Sequence, residues 1–169
     1  FTTNVSKPLT AFSLNKSSTS IQKGSTEQLT YTFAPADTSE STTVTYTSSN
    51  SAVATVSTTG VITGVNSGSA TITARMGSKS SVCTVTVTNP LVSIGLSAVS
   101  MSMLKVTTAQ ISVGFNPADT TDSKAVTFTS SNPAVATVDG NGVVYAAGKG
   151  NAVITATASG KSATCAVEV

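Results

Sequence analysis

The side chains able to do chemistry are few and scattered: seven carboxylates, nine Lys and Arg, two Cys and no His in 169 residues. Without His the commonest general base and metal ligand is missing, and no motif gives a Ser nucleophile a Lys or carboxylate partner. The chain therefore reads as non-enzymatic, with no cofactor. Asp37 with Glu40, and Asp119 with Asp122, are the acid pairs at loop spacing. A calcium site wants several converging oxygens, and two carboxylates per loop are too few. Asp37 and Asp119 are expected instead to hydrogen-bond the backbone of their Pro-Ala-Asp-Thr turns. Cys83 and Cys165 alternate with Val85 and Val167, which places both thiols inward as small hydrophobes rather than as reactive groups. Asn4-Val5-Ser6 and Asn15-Lys16-Ser17 fit the N-glycosylation pattern, which short stretches meet often by chance.

The elements that would position these groups follow from composition. Charged residues make up only 9%, while Ser, Thr, Val and Ala dominate and Trp is absent. Stiff Val and Thr side chains suit a pleated surface, and Gly, Asn, Asp and Pro supply turns between strands. A net charge of +2 with 39% hydrophobic residues excludes disorder. Scattered basic residues form no stripe for nucleic acid, and no apolar run is long enough for a membrane span. Phe1 is not an initiator Met and no signal-peptide pattern follows it, so the chain is expected to be cut from a larger precursor.

Self-similarity decides the architecture. Thr45-Tyr-Thr-Ser-Ser-Asn-Ser-Ala-Val-Ala-Thr-Val56 returns as Thr127-Phe-Thr-Ser-Ser-Asn-Pro-Ala-Val-Ala-Thr-Val138, a shift of 127 − 45 = 82. The same shift carries Phe33 to Phe115, Gly60 to Gly142, Gly68 to Gly150 and Cys83 to Cys165 without a gap. The expected division is a leading arm or tail of a preceding domain over 1–7, one domain over 8–88 and a second over 89–169. One Cys per domain rules out an intradomain disulfide.

Leu29, Tyr31 and Phe33, like Ile111, Val113 and Phe115, alternate with smaller or polar residues at the period of half-buried strands. Val44 and Tyr46, Ala70, Ile72 and Ala74, and Cys83, Val85 and Val87 continue the pattern, and each set has its partner in the second copy. Turn signals separate them, among them Asp139-Gly140-Asn141-Gly142, whose Asn-Gly pair suits positive φ. The prediction is all-β: two tandem immunoglobulin-like β-sandwiches of six or seven short strands each.

Ser48-Ser49-Asn50 through Val56, then Gly60-Val61, then Gly68 through Ala74, and their equivalents from Ser130 to Ala156, resemble the bacterial immunoglobulin-like domain, group 2. In two places the chain departs from that pattern: a frequent Trp is Tyr46 or Phe128, and an early Gly kept as Gly24 is Val106. The resemblance implies an extracellular module on the bacterial surface, as in adhesins and invasin-like stalks. It also implies two alternatives, decoration of a phage virion exterior and an accessory module of a secreted carbohydrate-active enzyme. Partners on this reading are neighbouring domains, cell-surface glycan or protein, and copies of the same chain. Fold alone does not choose among them.

Positions where the copies diverge in character are where a private function is expected. Opposite Ser17, Thr19, Ile21, Gln22 and Gly24 stand Val99, Met101, Met103, Leu104 and Val106. Val99, Met101 and Met103 are expected to deepen the second core. Leu104 and Val106 are expected to point outward from an edge strand as an interface. Tyr145 and Phe1 are the aromatic residues outside the expected cores that a sugar could stack on. The linker Thr88-Asn89-Pro90 restricts Asn89 to extended backbone, so a semi-rigid pair is expected.

Overall fold

A computed structural model describes residues 6–169; most of the leading arm predicted over 1–7, including Phe1, lies outside the described residues. The chain divides between Asn89 and Pro90 into two compact units. The first holds β1 (Ala11–Leu14), β2 (Ser18–Gln22), β3 (Thr26–Gln28), β4 (Tyr31–Ala34), β5 (Val44–Ser48), β6 (Ala54–Val56), β7 (Val61–Gly64), β8 (Gly68–Met76) and β9 (Lys79–Thr88). The second repeats the order as β10 (Ser93–Leu96), β11 (Ser100–Ser102), β12 (Thr108–Gln110), β13 (Val113–Asn116), β14 (Thr127–Ser130), β15 (Ala136–Val138), β16 (Val143–Ala146), β17 (Asn151–Ala158) and β18 (Lys161–Glu168). All described secondary structure is strand, as the Val and Thr content predicts.

Each unit has a four-stranded sheet, β2-β9-β8-β5 or β11-β18-β17-β14, facing a three-stranded sheet, β3-β7-β6 or β12-β16-β15, with a two-stranded ribbon, β1-β4 or β10-β13. The leading segment serves two sheets. β1 pairs antiparallel with β4, and the chain then crosses so that β2 runs parallel to β9. Asn15 fixes the crossing: its Oδ1 accepts the Thr30 N–H at 3.0 Å while its own N–H donates to the Thr30 carbonyl at 2.9 Å. In the second unit Ser97 takes this place.

The period-two residues of β8 and β9 bury one face against the opposite sheet. Ala70, Ile72, Cys83, Val85 and Val87 join Leu29 and Ile62 in one cluster, and Ala152, Ile154, Cys165 and Val167 join Ile111 and Val144 in the other. A second cluster in each unit lies beneath the ribbon, around Phe12 and Met76 or Ile94 and Ala158. Tyr46 and Phe128 pack against both clusters of their units. That bridging place is why a large aromatic ring is needed there, and why Tyr or Phe serves.

Two details differ from the sequence pattern. The alternation Leu29, Tyr31, Phe33 is not one strand: the chain breaks after β3, and Leu29 is buried while Tyr31 is exposed, 5.7 Å from the Phe12 ring. Likewise Val99 does not deepen the second core. It stands at the bend just before β11, which breaks the alternation, and is 78% exposed, whereas Met101 and Met103 do pack on the core.

Candidate functional site

The acidic residues serve mainly as structural fasteners. Glu40 sits in the loop between β4 and β5 and accepts the Leu9 N–H at 2.7 Å and the Ser78 N–H at 2.8 Å. Those backbone donors hold its carboxyl below its ordinary value. In the second unit Asp122 accepts the Leu91 N–H at 2.8 Å. The turn role predicted for Asp37 goes elsewhere, because Asp37 is exposed and pairs with Lys7, while the Thr38 hydroxyl accepts the Glu40 N–H at 3.2 Å. Glu40 and Asp122 enter the sequence reading only as members of acid pairs, and their role as loop fasteners emerges from the fold. Their reach to a strand start some 31 residues earlier is invisible in local spacing.

Beneath β2 the first unit carries a polar network: Glu27 takes an ion pair from Lys16 and a hydrogen bond from the Thr19 hydroxyl. The Lys16 ammonium, then Thr19, hold Glu27 below the ordinary carboxylate range. Cys83 and Cys165 are free and fully buried, and burial raises both thiols, with the Glu27 charge adding to the effect at Cys83. A buried thiol held protonated is a packing group, as the sequence predicts. Among the described residues no three His, Cys, Asp or Glu side chains gather as metal ligands, and no helix is long and apolar enough to cross a membrane.

Leu104 and Val106 are 79% and 67% exposed, but they lie in the turn after β11 rather than on the edge strand itself. The turn is fixed by the Val106 N–H donating to the Ala146 carbonyl at 2.8 Å, as Gly24 donates to Gly64. Val106 keeps the backbone that Gly24 has, at φ 66° against 82°, although a β-branched residue is strained there. Tyr145 is exposed on β16, opposite Thr108 and Thr137.

A groove of about 540 Å³ lies on the outer face of β11, β18 and β17. One row across it runs Ser100, Ala166, Val153 and Ser131, and the next runs Ser102, Glu168 and Asn151. The sequence reading did not single out these residues. Divergence between the copies was the available signal, and it is spread over three strands that only the fold brings together.

Against known proteins, the chain is 33% identical over 161 residues to Ice-binding protein 1 of Shewanella frigidimarina (strain NCIMB 400), covering 91% of this chain and 18% of that protein. The chain thus spans about a fifth of the length of that relative. Among solved structures, the S-layer protein SbsC aligns over 98% of this chain and 28% of its own, at 20% identity and a TM-score of 0.44. The four N-terminal Ig domains of Dscam1 align over 90% and 43%, at 15% identity and a TM-score of 0.48. The model of the bacterial Ig-like domain (group 2) matches residues 8–87 and again 91–167, so this chain belongs to that family, in two consecutive copies.

Proposed function

We propose that this segment is a non-enzymatic spacing and presenting module of a larger bacterial protein that works outside the cell, able to hold weak contacts to cell-surface or glycan ligands. The observation that carries this reading is the duplication itself. Two complete sandwiches repeat one inner face residue for residue, from Ala70, Ile72, Cys83 and Val85 to Ala152, Ile154, Cys165 and Val167, while their carboxylates fasten loops. The ice-binding relative supports an extracellular setting, since ice forms there. Antibodies against residues 6–169 are expected to label intact cells of the source organism. Labelling that requires permeabilised cells would overturn the reading.

Leu104 and Val106 are the apolar contacts on offer to a protein neighbour, because large exposed apolar groups cluster at interaction sites. Substituting both by Thr should weaken self-association or docking measured by light scattering, and an unchanged mass distribution would remove this role.

One feature favours a second reading, direct contact with ice. The outer face of the first four-stranded sheet is an array of hydroxyls, with Thr45 and Thr47 on β5, Thr71 and Thr73 on β8, and Thr84 and Thr86 on β9. Such rows repeat about 4.8 Å across strands and roughly 6.6 Å along them. Enrichment of the purified chain in slowly growing ice would support this reading, and exclusion from the ice would dismiss it.

A further inference from the structure

We propose that the groove on the outer face of β11, β18 and β17 is a binding site for a neutral oligosaccharide. The proposal rests on the surface reading above and adds the place and the ligand class.

The two copies differ there in a concentrated way. In the first domain the corresponding face carries two cross-strand pairs, Thr71 with Thr84 and Ser69 with Thr86. In the second these become Val153 with Ala166 and Asn151 with Glu168, four substitutions forming one contiguous block. Three serines bordering the block are the same in both copies, Ser18 and Ser100, Ser20 and Ser102, Ser49 and Ser131, while the exposed Val82 beyond it becomes Thr164. The buried side chains of the two long strands beneath it are also the same, Ala70 and Ala152, and Val85 and Val167, whereas on the edge strand Thr19 becomes Met101. The buried packing of the two long strands therefore does not require the block. Replacing Thr by Ala166 removes a branch at the centre of the groove and leaves an aliphatic floor with the 40% exposed Val153. Beside that floor stand a carboxylate and an amide, Glu168 and Asn151, whose side chains make no hydrogen bond or ion pair to the described residues.

The chemistry selects the ligand. No Lys or Arg lines the groove, so Glu168 disfavours phosphates and acidic sugars. One carboxylate is too few for a hard cation. The backbone groups of β17 and β18 are already paired with each other and with their flanking strands, so an extended peptide gains no main-chain bonds on this face. A neutral sugar ring matches what remains: its C–H face rests on Val153 and Ala166, and its hydroxyls donate to Glu168 and exchange bonds with Asn151, Ser100 and Ser102.

The test is an amide NMR titration of the 169-residue chain with maltotriose, cellotriose and tri-N-acetylchitotriose, with sialyllactose as the acidic comparison. At least one neutral probe should shift the amides of β11, β17 and β18, with a dissociation constant on the order of 1 mM. The variant N151S/V153T/A166T/E168T carries the residues with which the first domain folds, and it should weaken binding by about tenfold or more. The reverse graft, S69N/T71V/T84A/T86E, should create a second set of shifted amides on β2, β8 and β9, which keeps the question open to test if the first variant misfolds. No shift with any neutral probe, shifts unaltered in both grafts, or equal shifts with sialyllactose would overturn the proposal. None of these outcomes bears on surface exposure, which antibody labelling of intact cells decides.

Discussion

Beneath the strand that crosses between sheets, the first domain holds Lys16, Thr19 and Glu27 in a bonded network, whereas the second holds Ala98, Met101 and Ala109. The two solutions occupy one frame. In the second, Ala98 and Met101 pack on the cluster around Ile154 and Val167, and no charge has to be neutralised. A solvent-accessible ion pair adds little net stability, so a packed apolar group can take its place at small cost. The frame tolerates either because hydrogen bonds of β2 to β9 and of β11 to β18 set the strand position independently of what lies beneath. The same contrast holds at the turn that follows, where the second copy keeps a left-handed backbone without the glycine.

The largest expected difference between the copies lies at two glycines. A Cβ on Gly142 would come within 2.4 Å of the Ile111 carbonyl oxygen, a backbone atom, while on Gly60 it would meet the outer end of the Tyr46 ring at 2.8 Å and the equivalent backbone atom, the Leu29 carbonyl oxygen, only at 3.1 Å. Gly142→Ala should therefore cost about 3 kcal/mol, and Gly60→Ala roughly half that, read by urea denaturation of the tandem chain with amide exchange resolved by domain. Equal losses would show that Tyr46 is as unyielding as backbone.

Next comes the network. Glu27→Ala leaves the Thr19 hydroxyl and Lys16 without their partner and should destabilise the first domain by about 1 kcal/mol. The triple change K16A/T19M/E27A, which imports the second domain's solution, should recover most of that loss. A triple variant no more stable than the single one would mean that the apolar packing is specific to its own domain.

Acid should also separate the copies. Glu27 and Glu40 sit below their ordinary value of 4.5 in the folded first domain. Their stabilisation is full above the unfolded value and disappears as pH falls through the folded ones. The second domain has Ala109 in place of Glu27. The first domain should thus lose exchange protection earlier as pH is lowered below about 4.5, and the triple variant should narrow the gap. Identical acid profiles would deny the network any energetic role.

The smallest effect concerns Val106. Replacing it by Asn, which tolerates the left-handed region, should stabilise the second domain by about 0.5–1 kcal/mol. A loss of stability instead would show that the exposed Val side chain has a partner.

Much of the fold was legible because its evidence is local or repeated. Alternation marked β8 and β9 correctly, and the buried thiols followed from their place in that alternation. The pattern failed at Leu29–Phe33 and at Val99, where a strand breaks or begins and the period no longer tells inside from outside. It also failed for the carboxylates. Asp37 looked like the turn residue by type, yet Glu40 holds that loop through N–H groups brought from Leu9 and Ser78, and the Thr38 hydroxyl does so by donating to the Lys7 carbonyl. At Asp139 the expected turn forms, with its Oδ1 accepting the Asn141 and Val143 N–H groups, but positive φ falls on Gly142 rather than on Asn141.

By itself the sequence determined the duplication, the strand content, the inward face of each long strand and the family, because these depend on period and residue type along the chain. Tertiary structure alone decided which outward residues become neighbours. Ser100 is far in sequence from Ala166 and Val153, which face each other across the β17–β18 hairpin, and it joins their row only because β11 runs parallel to β18. Strand register is a pairing between distant segments, fixed by the buried faces on the other side of the sheet, and so the outer groove inherits a geometry that its own residues do not specify.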